Sequence, residues 1–417
     1  MTTAKQSVAV VGGGIVGICS AISLLEAGND VTLMDRDDTG QATSSGNAGI
    51  ISPWSIVPQA MPGIWKQIPG MIVKPDGPAG VSLRHSFQYF PWLMRFLRES
   101  KIDRAKTNSN AMHLLCGDAV TLYRDLIKGT GHEDLIVDAM YVHAFRKAED
   151  ADLDALGFQM RSEKGAELDL IGAADLRDLE PALSHDFQAA ILIKGQARAR
   201  NPGRIGSVLT DKIMRLGGTV LRADVHDLKP VDGAWDVTSN TGTKRYDKVV
   251  LAAGIWSANL LKKLGVSVPL AAERGYHVSY THTGLTLNNS VMDTSAHAVA
   301  SSMENGLRVA GMAEFSGIDV PPDPKRIRAL EKVARSMVPA LKDATPKSWM
   351  GIRPSFPDSL PIIQEFRSHP GLIGAFGHSH YGLMMAPKTG RIVADIVERK
   401  RTNVDFSAFG AERFKFL

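Results

Sequence analysis

Cysteine is scarce: there are two in 417 residues, Cys19 and Cys116. That excludes a disulfide-stapled scaffold and a cysteine-ligated zinc site, and it fits a reducing, cytoplasmic setting. Excess charge is also missing. Forty-eight Lys+Arg against 44 Asp+Glu leave +4, and no long Lys/Arg block overrides that balance, so nucleic acid is not an expected partner. Internal repeats and linker-like stretches are absent. With 44% hydrophobic and 22% charged residues, the chain reads as globular, with two or three domains at roughly 100–200 residues each. Membrane-spanning runs are lacking too. The uncharged run from Gln6 to Leu25 is broken by Gly12-Gly13-Gly14 and has no small-x-small cleavage site after it. The run from Thr39 to Trp65 has no Asp, Glu, Lys, Arg or His, but Pro53, Pro58 and Pro62 forbid a spanning helix. A soluble chain is expected. The aromatic, proline-rich stretch from Pro53 to Phe96 leaves open a peripheral contact with the inner face of a membrane.

Glycine is present in number, 39 residues, and its placement is informative. Val8 to Val11 reads as a buried parallel strand. Ile15, Ile18, Cys19, Ile22 and Leu25 keep helical spacing up to Gly28, and Val31 to Met34 reads as a second strand closed by Asp35. Between the first strand and the helix lies Gly12-Gly13-Gly14-Ile15-Val16-Gly17, a G-x-G-x-x-G string in the strand–turn–helix context that makes it meaningful. Its glycines permit a tight turn and close approach of a pyrophosphate to free N–H groups at a helix start; Asp35 suits ribose hydroxyls. This half alone does not choose between NAD and FAD.

Further along, Leu114, Leu115, Leu122, Tyr123, Leu126 and Ile127 suggest one helical face. Asn201-Pro202 and Asp323-Pro324 are capped helix starts. Hairpins are expected across Asn240–Gly242 and at Asn305-Gly306. Val249 to Ala253 and Leu372 to Phe376 are buried strand-like runs. Buried strands at both ends and in the middle imply an α/β fold: a Rossmann-like dinucleotide domain assembled from 1–55, 196–268 and 345–417. An α+β substrate domain with an antiparallel sheet is inserted at 56–195 and 269–344. The neutral stretch Thr43-Ser44-Ser45-Gly46-Asn47-Ala48-Gly49 offers uncharged donors suited to a pyrophosphate and a flavin edge.

The fingerprint at 12–17, TSSGNAGIISP at 43–53, DKVVLAAGIWS at 247–257, GIRPSFPDSLPII at 351–363 and GLIGAFGHSHYGLMMAPKTGR at 371–391 occur in one order. Together they resemble the FAD-dependent amine oxidoreductases: D-amino-acid dehydrogenases, D-amino-acid oxidases and glycine/sarcosine oxidases. Within that group, the D-amino-acid dehydrogenase branch is the best match. Glu273-Arg274-Gly275-Tyr276-His277 and Trp349-Met350-Gly351 resemble relatives acting on hydroxy-D-proline and glyphosate-like N-substituted glycines. The resemblance implies FAD as cofactor. Gly12, Gly14, Ile15, Val16, Gly17, Asp35 and Arg36 would lie on the ADP side, and Ser44, Ser45, Asn47, Ala48, Gly49 and Ile50 on the ribityl and ring side. Val225 would lie at adenine, with Ala253, Gly254 and Trp256 under the cofactor. Gly351, Gly377, His378, Ser379, His380, Tyr381, Gly382 and Leu383 would run along the flavin.

Arg353 matches the family arginine that clamps a substrate carboxylate, a task suited to a planar guanidinium. Tyr276, His277, His380 and Tyr381 complete the expected catalytic neighbourhood, although Tyr276, His277 and Tyr381 equally suit a packed interior. His378 and His380 lack a third ligand for a metal, and none is expected. Relatives commonly carry Gly-His-Gly-His-Leu-Gly where this chain has Gly377-His378-Ser379-His380-Tyr381-Gly382, so Ser379 would be strained if φ > 0 is needed there. No cysteine near 350 and no histidine between Asp35 and Trp65 is available to attach a flavin, so FAD is expected to be non-covalent. The implied reaction is oxidation of a D-amino acid to an imine and then a 2-oxo acid, or alternatively of a secondary amino acid. Oxygen or a quinone-linked carrier would be the electron acceptor.

Overall fold

The computed structural model describes residues 5–73, 77–81 and 86–414, so parts of the Pro53-to-Phe96 stretch lie outside the described residues. The strand Ser7–Val11 leads through the glycine turn into the helix Ile15–Glu26 and returns as the strand Asp30–Asp35, parallel to the first. A six-stranded sheet grows around this unit. Lys248–Leu251 and then Leu372–Phe376 add in parallel on one side and Thr219–Arg222 on the other, while Ile362–Glu365 closes one edge antiparallel. Strands covered on both faces need continuous apolar runs, and Val8, Ala9, Val10, Val249, Val250, Leu251, Leu372 and Ile373 are all fully buried. The helix Gly382–Val397 packs closely on the first helix, where a β-carbon on Gly390 would meet the Cys19 carbonyl oxygen at 2.4 Å.

The second layer is a mixed sheet in the order Lys347–Ser355, Ala271–Thr281, Gly306–Phe315, Ala298–Met303, Ser290–Asp293, Ile136–Phe145, Ala189–Ala199 and Ile50–Ile51. Ala79–Val81 and Leu168–Gly172 pair with members of it off that path. It is mostly antiparallel. The two hairpins expected from Asn240–Gly242 and Asn305-Gly306 are there, as are helices Pro202–Arg215 and Pro324–Met337, capped by Asn201 and Asp323.

One expectation about chain organisation is corrected. The 114–127 face is not one helix: Ile102–Cys116 ends at Gly117 and Ala119–Ile127 starts anew, leaving Leu114 exposed. The strand Ala189–Ala199 runs across 195/196, and Lys347–Ser355, just after 344/345, belongs to the large sheet because its cross-strand partner is Ala271–Thr281. Periodicity reveals strands but not which sheet they join.

Candidate active site

The two sheets enclose a cavity of about 1290 Å³, larger than the roughly 300–1,000 Å³ usual for one small molecule. Gly12, Gly14, Ile15 and Val16 line one end. Gly12 has φ +112, and a β-carbon there would meet the Ala252 carbonyl oxygen at 2.4 Å; one on Gly17 would stand 1.8 Å from the Gly12 carbonyl oxygen. Gly17 therefore serves close packing of turn on helix and does not line the cavity. A β-carbon on Gly14 would have only Ser44 Oγ nearby, at 3.5 Å, and would project into the cavity. The Ile15 amide donates to Ser44 Oγ at 3.0 Å, which ties the 43–46 turn to the helix start. Asp35 accepts from the Gly13 and Asp37 amides at 2.5 and 2.9 Å. Burial raises its pKa and these amides oppose the rise. Arg36 lies 3.8 Å over the Trp256 ring, and both line the cavity with Val225, Ala253 and Gly254.

Of the neutral stretch, Ser44, Asn47, Ala48 and Ile50 line the cavity, whereas Ser45 and Gly49 do not. Ser45 Oγ donates to the Gln41 and Ala42 carbonyls at 2.8 Å, and the Gly49 carbonyl accepts from the Ala199 amide at 2.7 Å. Arg308, not singled out by the sequence, holds this loop: its Nη1 donates to the Ser45 and Asn47 carbonyls at 2.8 and 2.7 Å. Burial pushes its pKa down to about 10.

At the opposite end, Ala271–Thr281 and Lys347–Ser355 are in antiparallel register with Glu273 opposite Arg353, Gly275 opposite Gly351 and His277 opposite Trp349. These alternate positions share one face. Arg353 lies flat over Gly275, where a β-carbon would come within 2.2 Å of Nη2. Its Nη1 donates to Glu273 Oε1 at 2.8 Å and to the Met312 carbonyl at 3.0 Å. Nε and Nη2 have no hydrogen-bond partner among the described residues, and Arg353 lines the cavity. Glu273 is 1% exposed; Ser355 Oγ donates to it at 2.6 Å and Gln59 Nε2 at 3.4 Å. Burial alone would raise the Glu273 carboxyl, but Arg353, then His380 and Ser355, outweigh it and hold it below the usual carboxylate range.

Tyr276 lines the cavity, but its position alternates with those of Glu273, Gly275 and His277, and its hydroxyl donates to Glu314 and accepts from the Asp323 amide at 3.2 Å. His277 does not line the cavity; it stacks on Trp349 with centroids 4.8 Å apart, and its Nδ1 lies 3.0 Å from the Gly46 carbonyl. Burial and then Arg308 lower its pKa to about 3, so it supports the Trp349 wall as a neutral ring. That indole slides over Gly46 and Gly351, where β-carbons would lie 2.0 and 2.1 Å from it.

The terminal loop Gly377, His378, Ser379, His380, Tyr381, Gly382 and Leu383 lines the cavity where the helix Gly382–Val397 begins. Ser379 does adopt positive φ, +51, and its hydroxyl lies 2.9 Å from that of Ser355. The two histidines diverge. His378 Nε2 lies 3.0 Å from Thr389 Oγ1, and His380 Nδ1 lies 3.1 Å from Gln59 Nε2. Burial lowers them to about 3 and about 4. Tyr381 donates to the Val57 carbonyl at 2.7 Å.

These features converge with comparison to known proteins. The family model described as FAD dependent oxidoreductase matches residues 7–396. The chain belongs to that family. A D-amino-acid oxidase from Bradyrhizobium diazoefficiens is 34% identical, covering 98% of this chain and 99% of the relative. The fold is similar to glycine oxidase from Geobacillus kaustophilus, with TM-score 0.75, 21% identity and 98% and 99% of the two chains covered. It is also similar to iminodiacetate oxidase from Chelativorans sp. BNC1, with TM-score 0.73, 20% identity and 97% and 98% covered. This family member is an FAD-dependent oxidoreductase, and its residues fit the cofactor. The Gly12–Gly14 floor is open to the cavity, Asp35 and Arg36 stand at one end, and the helix start at Gly382 points a positive dipole end into the other. Among the described residues, no helix is long and apolar enough to cross a membrane.

Proposed function

We propose that this enzyme oxidises the C–N bond of a D-amino acid. The Cα–H leaves with two electrons and the nitrogen gives up a proton. The resulting imine takes up water to yield a 2-oxo acid and ammonia. FAD, when bound, supplies the two-electron acceptor. The observation that carries the reading is Arg353: it lines the cavity, one corner is fixed by Glu273 and the Met312 carbonyl, and the Nε–Nη2 edge has no partner among the described residues. That edge suits a bidentate carboxylate and orients the carbon next to it. His380, neutral above about pH 4 by burial, and Tyr381 wall the same region without adding charge. The 34% identical relative named D-amino-acid oxidase supports the D configuration.

The exposed Trp65, Phe87, Phe90 and Met94 on the helices Ile64–Val73 and Ser86–Glu99 support a peripheral membrane contact beside the cavity, which Phe90 also lines. Flotation with anionic vesicles tests it, and a protein that stays at the bottom of the gradient removes it.

The test of the reaction is anaerobic flavin bleaching with paired D- and L-amino acids, with 2-oxo acid assayed afterwards. Bleaching by D-enantiomers with stoichiometric oxo acid is expected. Bleaching by L-enantiomers alone, or by none, overturns the reading.

A further inference from the structure

Arg161 carries a half-buried guanidinium with no carboxylate partner among the described residues. It stands in the last turn of the helix Leu156–Ser162 and lines the cavity. Nε donates to the Trp54 carbonyl at 3.1 Å and Nη1 to the Gly157 carbonyl at 2.9 Å, so the side chain is locked in place with Nη2 left over. No carboxylate pairs with it among the described residues. Burial pulls its pKa down to about 10, which still leaves it charged at neutral pH.

Comparison with other arginines of the interior isolates it. Arg308 and Arg198 also end on carbonyls, but neither lines the cavity. Arg353 lines it, and Glu273 offsets its charge. Around Arg161 the wall is Tyr141, His143 and Tyr381. The His143 ring, 8% exposed, packs on Tyr141 and Phe158, and its Nε2 has no partner among the described residues. The segment after Trp54 connects the two ends of this chamber: Arg161 holds the Trp54 carbonyl, Tyr381 the Val57 carbonyl, and Gln59 reaches Glu273 and His380.

A half-buried cation left unpaired carries a cost unless a ligand supplies the opposite charge. We infer that Arg161 forms a second anion subsite for a side-chain carboxylate, so that the preferred substrates are dicarboxylic D-amino acids. The inference rests on Arg353 holding the α-carboxylate, as in the function proposed above. One carboxylate then meets Arg353, and the second meets Arg161 Nη2, with His143 Nε2 beside it.

The test compares D-glutamate with D-glutamine, and D-aspartate with D-asparagine, as reductants of the holoenzyme's flavin in wild type and in Arg161→Met. The wild type is expected to favour each acid over its amide by on the order of 10–100-fold in kcat/KM, as a charge-assisted hydrogen bond gives, and Arg161→Met to bring the ratio near one. Glutarate is expected to perturb the flavin absorbance at lower concentration than butyrate, a difference lost in Arg161→Met; Arg161→Lys retains part of it and serves if the methionine variant fails to fold. Equal use of acid and amide by the wild type, or a preference that survives in Arg161→Met, overturns the inference while leaving D-amino-acid oxidation intact. If no amino acid bleaches the flavin, the proposed reaction falls, and the glutarate titration still decides the subsite.

Discussion

Glu273 faces Arg353 across two neighbouring strands and accepts its Nη1 proton at 2.8 Å. The carboxylate is fully buried, whereas the arginine side chain is 21% exposed and lines the cavity. The pair therefore aims the arginine.

Glu273→Gln removes the charge that fixes Nη1 and keeps the shape. KM for carboxylated substrates is expected to rise more than kcat falls, with about 1–3 kcal/mol of stability lost as a charged hydrogen bond weakens. Steady-state kinetics and thermal melts check both. The acid limb follows from the same carboxyl. Its folded pKa lies below its ordinary value of 4.5, so its stabilising contribution is present above that pH. The contribution is lost as pH falls through the folded value, and Glu273→Gln should flatten that limb.

Gly17→Ala places a β-carbon on the Gly12 carbonyl oxygen, a backbone atom that cannot step aside. The turn must open. The expected result is protein purified with little flavin and a loss of at least about 1–3 kcal/mol from overpacking; the ratio of visible to ultraviolet absorbance measures the first effect.

Buried neutral histidines give a second pH effect. His277 and His378 have folded pKa values of about 3 against an ordinary 6.5. The unfolded chain binds more protons between those values, so stability is full above about pH 6.5 and declines as pH falls toward 3. Calorimetry should show Tm dropping steadily from pH 7 to pH 5, and the His378→Gln variant should drop less over that range. A Tm indifferent to pH across this window contradicts the assignment.

Neither cysteine lines the cavity: Cys19 and Cys116 are both buried in the apolar core. Acid precipitation is expected to release all the flavin to the supernatant. A yellow pellet would show a covalent bond.

The strand–turn–helix with its glycines was legible because sterics there leave one residue type; Gly12 and Gly17 cannot carry a β-carbon. Hairpins and caps were legible for the same local reason, as Asn201 and Asp323 show. The reacting end was legible only in part. Arg353 stood inside a recognisable motif, but its partner Glu273 lies 80 positions away, and cross-strand register brings them together. Tyr276 and His277 are adjacent in sequence, yet the pleat sends them to opposite faces. Arg161 and Arg308 gave no local signal, since a cation held by carbonyls without a carboxylate is visible only once its surroundings are folded around it.

The most direct test is the anaerobic reductive half-reaction of Arg353→Leu against wild type, using a D-amino acid and the amine obtained by removing its carboxylate. The wild type should prefer the amino acid strongly. The variant should lose about 2–5 kcal/mol in kcat/KM for it, the cost of truncating one partner of a buried charge pair, with little change for the amine. Equal loss on both compounds, or no loss on either, contradicts a carboxylate held by Arg353.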